Sequence, residues 1–298
     1  MSEEQKRVPL AKFREAHPED KHCASYYESV EDFQEAIAPD RPAKSPNSGS
    51  EGSGMGESWY GSKNYAHAVA LLRDGWPEGR EKMGKALEQS SAGIRQQIGN
   101  RLSFDLAGAY PIVPLYCAGV AEHMVHIGED TRAQQPIIRF RISIAASAGV
   151  SADSIMARGA AILSWVDWLE SNDQRCEIIV EEYSASGRNM YSCEVMFKRA
   201  NAPLDIDRAA YCLINPGMLR RQFFRHIEVK AVSSEVADRV RQSGYGVPDD
   251  GPLPEDGAPE VYFGRMHNNE PQWKDPAKAA EFVRKQISNA GIRAVDKE

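Results

Sequence analysis

The sequence predicts an α/β fold: a doubly wound, mostly parallel sheet with one antiparallel strand, of Rossmann-like type, plus a helical N-terminal part. Three observations predict it. Residues 136–198 read in the order strand, helix, strand, strand. The helix between the first two strands is long enough for a right-handed crossover, which makes them parallel, whereas the turn before the third allows only a hairpin. A strand followed by a capped helix closes the chain.

Along the chain, residues 1–40 have helical character around Val30–Ala38 but no sustained apolar face, so this segment is expected to be partly ordered at most. Residues 41–57 are rich in Gly, Ser and Pro and read as a flexible linker, which starts the single α/β domain at residue 58 and carries it to 298. Ser62 can cap a helix with Tyr65, Ala68, Val69 and Leu72 on one face and Gly75 as its stop. A second helix is expected over 78–98, with Met83, Ala86, Leu87 and Ile94 in one stripe.

Pro136 opens a strand with Ile138, Phe140, Ile142 and Ile144 on one face and Arg139, Arg141 and Ser143 on the other. Ser151 or Asp153 can cap the following helix, which is apolar almost all round to Glu170 and is therefore buried on more than one side. Cys176–Tyr183 is the second strand and Met190–Lys198 the third, with Tyr191, Cys193, Val195 and Phe197 inward. Leu204–Leu213 reads as a helix interrupted by Asn215-Pro216-Gly217. Met218–Phe224 is a basic amphipathic turn, Ile227–Val232 a strand, and 244–259 an acidic Pro/Gly loop. A strand at Glu260–Arg265 precedes a helix that starts with Asp275 as cap and Pro276 inside it, and stops before Gly291.

Composition narrows the function. At 298 residues, 42% hydrophobic and 27% charged, the chain can bury a sizeable core. No apolar run approaches ~20 residues and no apolar stretch opens the chain, so neither a membrane span nor a secretory signal is expected, and the cytoplasm is the expected compartment. The net charge of −7 is concentrated: residues 1–60 hold 7 bases against 12 acids, and 242–262 hold five acids and no base. That argues against indiscriminate polyanion binding but leaves room for a local basic patch. Five widely spaced cysteines without a CxxC pair read as reduced thiols, with Cys176 and Cys193 as small buried hydrophobes. No GxSxG, HExxH, kinase, P-loop or EF-hand signature occurs.

Three places could carry chemistry. The turn between the first strand and its helix, with Ser143, Ser147 and Asp153 as candidate oxygen ligands, is either a plain capped turn or a crest for an anion or a divalent cation, Mg²⁺ being the one cofactor to consider. His123 and His126 beside Glu122 lack the further ligands a metal site needs. Arg220, Arg221, Arg225, His226 and Lys230, with Phe223 and Phe224 between them, can either grip a single nucleic-acid strand or a partner, or serve the fold, with the acidic loop as their counter-charge.

Two resemblances follow from quoted residues. Trp59 and Gly61, then Gly75, Trp76 and Gly79, Tyr116–Gly119 with Met124, Arg158–Ala161, Asp167, Leu169-Glu170, Pro216, Met218–Arg221, Phe223, Trp273 and Phe282-Val283 together resemble an uncharacterised domain family of bacteriophages and their hosts over roughly 57–292. That family often carries His where this chain has Asn215, so position 215 is not an obligate ligand or base here. The element order of 136–230 resembles a von Willebrand factor A-type fold, whose Asp-x-Ser-x-Ser crest would fall on Ser143, Ala145 and Ser147, with the Asp missing and one Ser replaced by Ala. The first resemblance carries no established activity; the second implies a partner-binding module rather than a catalyst. The expected function is accordingly non-catalytic and exerted through protein–protein contacts, with single-stranded nucleic-acid binding through 218–230 as the alternative and a divalent-metal site at 143–153 as a third reading.

Overall fold

The computed structural model describes residues 7–40, 50, 56–81, 104–105, 110–111, 124–125, 137–171, 174–230, 244–253 and 260–292. Two compact units result: one from Met1–Ser90 with Pro136–Glu298, the other from Ser91–Gln135. The second unit contains a small antiparallel sheet in which Met124–Val125 (β4) lies between Phe104–Asp105 (β2) and Tyr110–Pro111 (β3).

The first unit is built on a six-stranded mixed sheet in the order β1-β7-β6-β5-β9, with β8 added on β6. Its strands are His22–Tyr27 (β1), Ile138–Ser143 (β5), Cys176–Ser186 (β6), Asn189–Lys198 (β7), Val247–Asp249 (β8) and Glu260–Phe263 (β9). β5 runs parallel to both β6 and β9, and β1 is parallel to β7; the β6–β7 hairpin and the β6–β8 pair are antiparallel. Helices flank this sheet, and the α/β class with a mostly parallel sheet follows.

The crossover from β5 to β6 is the 20-residue helix Ala152–Ser171 (α5). Ser151 caps it, its hydroxyl accepting from the Ser154 N–H at 3.2 Å. Two features make α5 the centre of the helical layer. Gly159 lets Ile206–Ile214 (α6) approach so closely that a Cβ there would lie 2.6 Å from the Leu213 carbonyl. Trp165, 1% exposed, reaches across to Pro276–Asn289 (α8) and donates its indole N–H to the Ala280 carbonyl at 3.0 Å. Asp275 caps α8 with Pro276 as its first residue, as the sequence signals require.

The structure departs from the sequence reading in four places. His22–Tyr27, within the segment expected to be partly ordered, is an edge strand hydrogen-bonded to β7 along its full length, flanked by helices Leu10–Ala16 (α1) and Val30–Ala36 (α2). An edge strand is only half covered, so its residues need not be apolar and no pattern announces it. Residues expected as a strand from Ile227 form helix instead: a π-helical turn, Met218–Phe223, runs into Phe224–Lys230 (α7). Ile227 and Val229 alternate with Glu228 and Lys230, but Phe223, His226 and Ile227 also share the i, i+3, i+4 face of a helix, and tertiary burial selects the latter. The helix Tyr65–Asp74 (α4) is capped by Asn64, whose side-chain oxygen accepts from the His67 N–H at 2.8 Å, rather than by Ser62. Part of the acidic loop is ordered as β8. The expected linker at 41–57, the helix beyond residue 81, and His123 and His126 lie outside the described residues, apart from Ser50 and the first turn around residues 56–57. Among the described residues no helix is long and apolar enough to cross a membrane.

Because Trp165 fills the junction of α5 and α8 and makes its only indole hydrogen bond there, Trp165→Ala is expected to cost about 3–5 kcal/mol. Urea denaturation of the two proteins checks this; a loss below ~1 kcal/mol would mean that the junction is not part of the core.

Candidate functional site

Arg220 and Arg221 are both 2% exposed, and Arg225 is 7% exposed. A desolvated guanidinium must find acceptors for its donors. Arg220 donates to the carbonyls of Trp59 at 2.8 Å and Val150 at 3.2 Å. Arg221 donates to the Ser50 carbonyl at 2.7 Å, the Ser62 carbonyl at 3.1 Å and the Ser62 hydroxyl at 3.2 Å. Their planes also lie on aromatic rings, Arg220 over Trp59 at 4.1 Å and Arg221 over Tyr60 at 4.0 Å. Two consecutive arginines thus clamp two consecutive aromatics, and the wide π-helical turn allows both to reach the same short helix, Glu57–Tyr60 (α3). Arg225 sits 3.7 Å from Glu228, which is itself held by the Ser50 N–H and hydroxyl. These three guanidiniums are therefore not on a surface; in the described part of the acidic loop, Asp249 and Asp250 are engaged by Arg265. Of the five basic residues of the sequence-derived cluster, Lys230 alone is exposed.

Two of the family-like motifs meet at this clamp. Gly61 ends α3 in the left-handed region, φ +68°, with Asn215 packed so closely that a Cβ would fall 2.0 Å from its side-chain oxygen. Asn215 donates to the Gly61 carbonyl at 3.1 Å and accepts from the Gly217 N–H at 2.7 Å, so both ends of its amide are spent on the backbone.

The clamp borders a cavity of about 260 Å³ at the carboxyl ends of β5 and β6, the edge at which open α/β sheets hold ligands. Trp59, Tyr60, Phe224 and Tyr245 supply aromatic walls, and the Ala145–Ala148 turn supplies small residues. Phe224 and Tyr245 are stacked, their ring centres 3.6 Å apart. Two polar side chains on β6 face the cavity. Glu182 is 3% exposed and Ser184 is 1% exposed. Glu182 Oε2 and the Ser184 hydroxyl are out of reach of solvent, and the Ser184 side chain stands within hydrogen-bonding reach of the Glu182 carboxyl. Burial, opposed by the hydrogen bond with Ser184 and helped by the nearby Glu181 charge, pushes the Glu182 carboxyl up to about 8, so it is largely protonated at neutral pH.

In register across β7, Cys193 lies opposite Glu182 and Tyr191 opposite Ser184. His226 meets this pair from α7: its Nε2 is 2.8 Å from the Tyr27 hydroxyl and 3.9 Å from Cys193 Sγ, and its Nδ1 bonds the Tyr191 hydroxyl. Burial lowers His226 to about 3 and raises the Cys193 thiol well above its ordinary range, so the imidazole is neutral with both nitrogens engaged and the sulfur is not a thiolate. Cys193 and His226 meet in space but do not form an activated nucleophile.

The crest residues do not converge. Ser143 is buried, its hydroxyl accepting from the Ala145 N–H at 3.3 Å. Ser147 is tied through its N–H to the Met266 carbonyl, and Asp153 is exposed on the first turn of α5. Behind the crest, Arg158 donates to the carbonyls of Ser143 at 2.8 Å and of Phe263 and Gly264 at 2.9 Å. Among the described residues no group of three His, Cys, Asp or Glu side chains is placed to hold a metal.

The opposite face of the sheet carries a second polar assembly that sequence reasoning missed. Arg141 reaches Glu181 at 3.1 Å, Glu194 at 2.6 Å and Glu260 at 3.0 Å. Burial opposes its charge, but the three carboxylates outweigh that and hold it fully protonated. Arg7 adds to the assembly from the N-terminal side, bonding Glu260 and lying 3.7 Å over the Tyr262 ring.

A family model described as a domain of unknown function, DUF7192, matches residues 4–294. No curated protein and no solved structure matches the chain.

Arg221→Ala would strand three buried acceptors around Ser50 and Ser62, and the expected loss is about 3–5 kcal/mol, read as the shift in denaturation midpoint. Glu182 titrates near its ordinary carboxyl value when unfolded and near 8 when folded. Between those values the folded state holds more protons, so stability falls as pH rises, by on the order of 1 kcal/mol per unit. Glu182→Gln should flatten that part of the decline between pH 5 and 8 in parallel denaturation series; equal slopes in both proteins would contradict the burial of an acid at this position.

Proposed function

We propose that this chain, which belongs to the DUF7192 family, is a non-catalytic binding protein whose receptor is the cavity at the carboxyl ends of β5 and β6, and whose output passes to a protein partner. The observation that carries this reading is the cavity of about 260 Å³ itself, walled by aromatic and small residues with Glu182 and Ser184 as polar members of its lining. The neutral His226 and the protonated Cys193 support a binding role over nucleophilic catalysis. The motif resemblance supports a phage or prophage setting in a host cytoplasm, and a site at the strand ends supports kinship with von Willebrand factor A-type binding modules.

A second reading, proton transfer to or from a bound molecule by Glu182, is favoured by the value of about 8 to which that carboxyl is pushed. The two part on turnover: a receptor releases its ligand unchanged.

Ala148, exposed and on the cavity lining, offers a plug that spares the core. In ligand-observed NMR, single-ring compounds that bind the native protein are expected to lose their signal with Ala148→Phe. Hits indifferent to the plug, or none from a set spanning neutral, anionic and cationic rings, would refute the receptor reading.

A further inference from the structure

One wall of the cavity is a weak strand held at its ends. Tyr245, Gly246 and Pro248 line the space, yet β8 pairs with β6 through three residues, Val247, Pro248 and Asp249. Pro248 has no N–H to give to the ladder, and so short a strand has little stability of its own. At its entry, Tyr245 stacks on Phe224 and donates its hydroxyl to Glu228. At its exit, two arginines grip the chain. Arg265 donates to the Pro248 carbonyl at 2.8 Å and pairs with Asp249. Arg7 arrives from 244 residues away, its Nε donating to the Gly251 carbonyl at 3.0 Å. Its two terminal nitrogens bond the Pro252 carbonyl and Glu260. The backbone follows the side chain: the Leu253 N–H donates to the Val8 carbonyl at 3.0 Å, and Pro9 bridges Leu253 in parallel.

The slot around Arg7 matches a guanidinium rather than any cation. Three separate acceptors serve its three nitrogens, and the Tyr262 ring covers its face at 3.7 Å. An ammonium is a point charge with no face to stack and no fork to span those acceptors. The side chains of Arg7 and Glu260 are 7% and 6% exposed, so solvent does not replace the ion when it leaves. Glu260 would then share Arg141 with Glu181 and Glu194.

We propose that this slot is a guanidinium-binding site whose filling by Arg7 latches the 245–253 wall over the cavity, so that the segment Arg7–Pro9 governs access to it. The latch rests on the receptor reading for its purpose, but its readout needs no ligand. Emptying the slot frees the exit of β8 and leaves β6 in place, because β5 and β7 pair with β6 independently.

Hydrogen exchange on the full chain, read by mass spectrometry, tests the latch. In Arg7→Ala the amides of 245–249, which lie beyond the residues that Arg7 bonds, are expected to exchange at least about tenfold faster, with α5 and the β6–β7 hairpin unchanged. Ethylguanidinium at tens of millimolar should bring that exchange back to within about threefold of native, and ethylammonium at the same concentration should not. Arg7→Lys should behave as Arg7→Ala does, and it supplies the comparison where the alanine variant fails to fold. Unchanged exchange at 245–249 would overturn the latch. Equal acceleration throughout α5 would do the same, by making Arg7 part of the common framework. Rescue by both cations alike, or by neither, would overturn the slot as a guanidinium site. The receptor reading stands or falls separately, on the ligand screen with Ala148→Phe.

Discussion

The burial of two adjacent guanidiniums governs much of this structure. Removing a charge from water costs several kcal/mol unless its donors are satisfied, and Arg220 and Arg221 meet that requirement almost wholly with backbone carbonyls. Backbone acceptors cannot swing into place as side chains can, so the segments supplying them must be held in position. One helical turn therefore fixes Ser50, the Trp59–Ser62 stretch and the turn ending at Val150, all of them distant in sequence from the arginines. Gly61 follows from the same demand: the chain must leave α3 in a left-handed turn tight against Asn215, where no Cβ fits.

The two faces of the sheet treat charge differently. On one, Arg141 is surrounded by three carboxylates and the strands remain polar yet buried. On the other, Ile142, Val180 and Val195 are covered by the helical layer. Further along that apolar face, β6 continues past the aliphatic residues to Glu182 and Ser184, and there the cover becomes a cavity rather than a packed side chain. Ion pairing dominates the first face; on the second, a carboxyl and a hydroxyl stand side by side at the edge of a cavity, with no cation paired to them among the described residues.

Much of the fold was legible because it rests on local signals. The period-2 strands Ile138–Ser143 and Asn189–Lys198, the continuous apolar character of α5, and the Asp275–Pro276 start of α8 each follow from residues close in sequence. The misread elements depend on partners far away. β1 is a strand because β7 lies beside it, and Phe224–Lys230 is a helix because its polar residues, His226 and Glu228, find buried partners in Tyr27, Tyr191 and Ser50. A run of arginines beside phenylalanines gives no local sign of whether it faces water. For the site one signal was present: Val180, Glu182 and Ser184 occupy alternate, inward positions of a strand, where a carboxyl has no reason to be unless something pairs with it.

The residues that gave the sequence its family-like character turn out to be framework. Gly159 admits α6, Arg158 ties the ends of β5 and β9, Asn215 staples Gly61, and the arginine pair holds α3. Each has its polar atoms spent on the chain itself, which leaves little for a ligand. Glu182, Ser184 and Tyr245 belong to none of those motifs, yet they line the space that the framework holds open. A frame of committed side chains that holds this floor in place is preorganisation: the ordering is done during folding, so a ligand does not bear its cost on binding. Ligand identity in this architecture is thus set by the floor residues, whereas the motif residues determine whether there is a cavity at all.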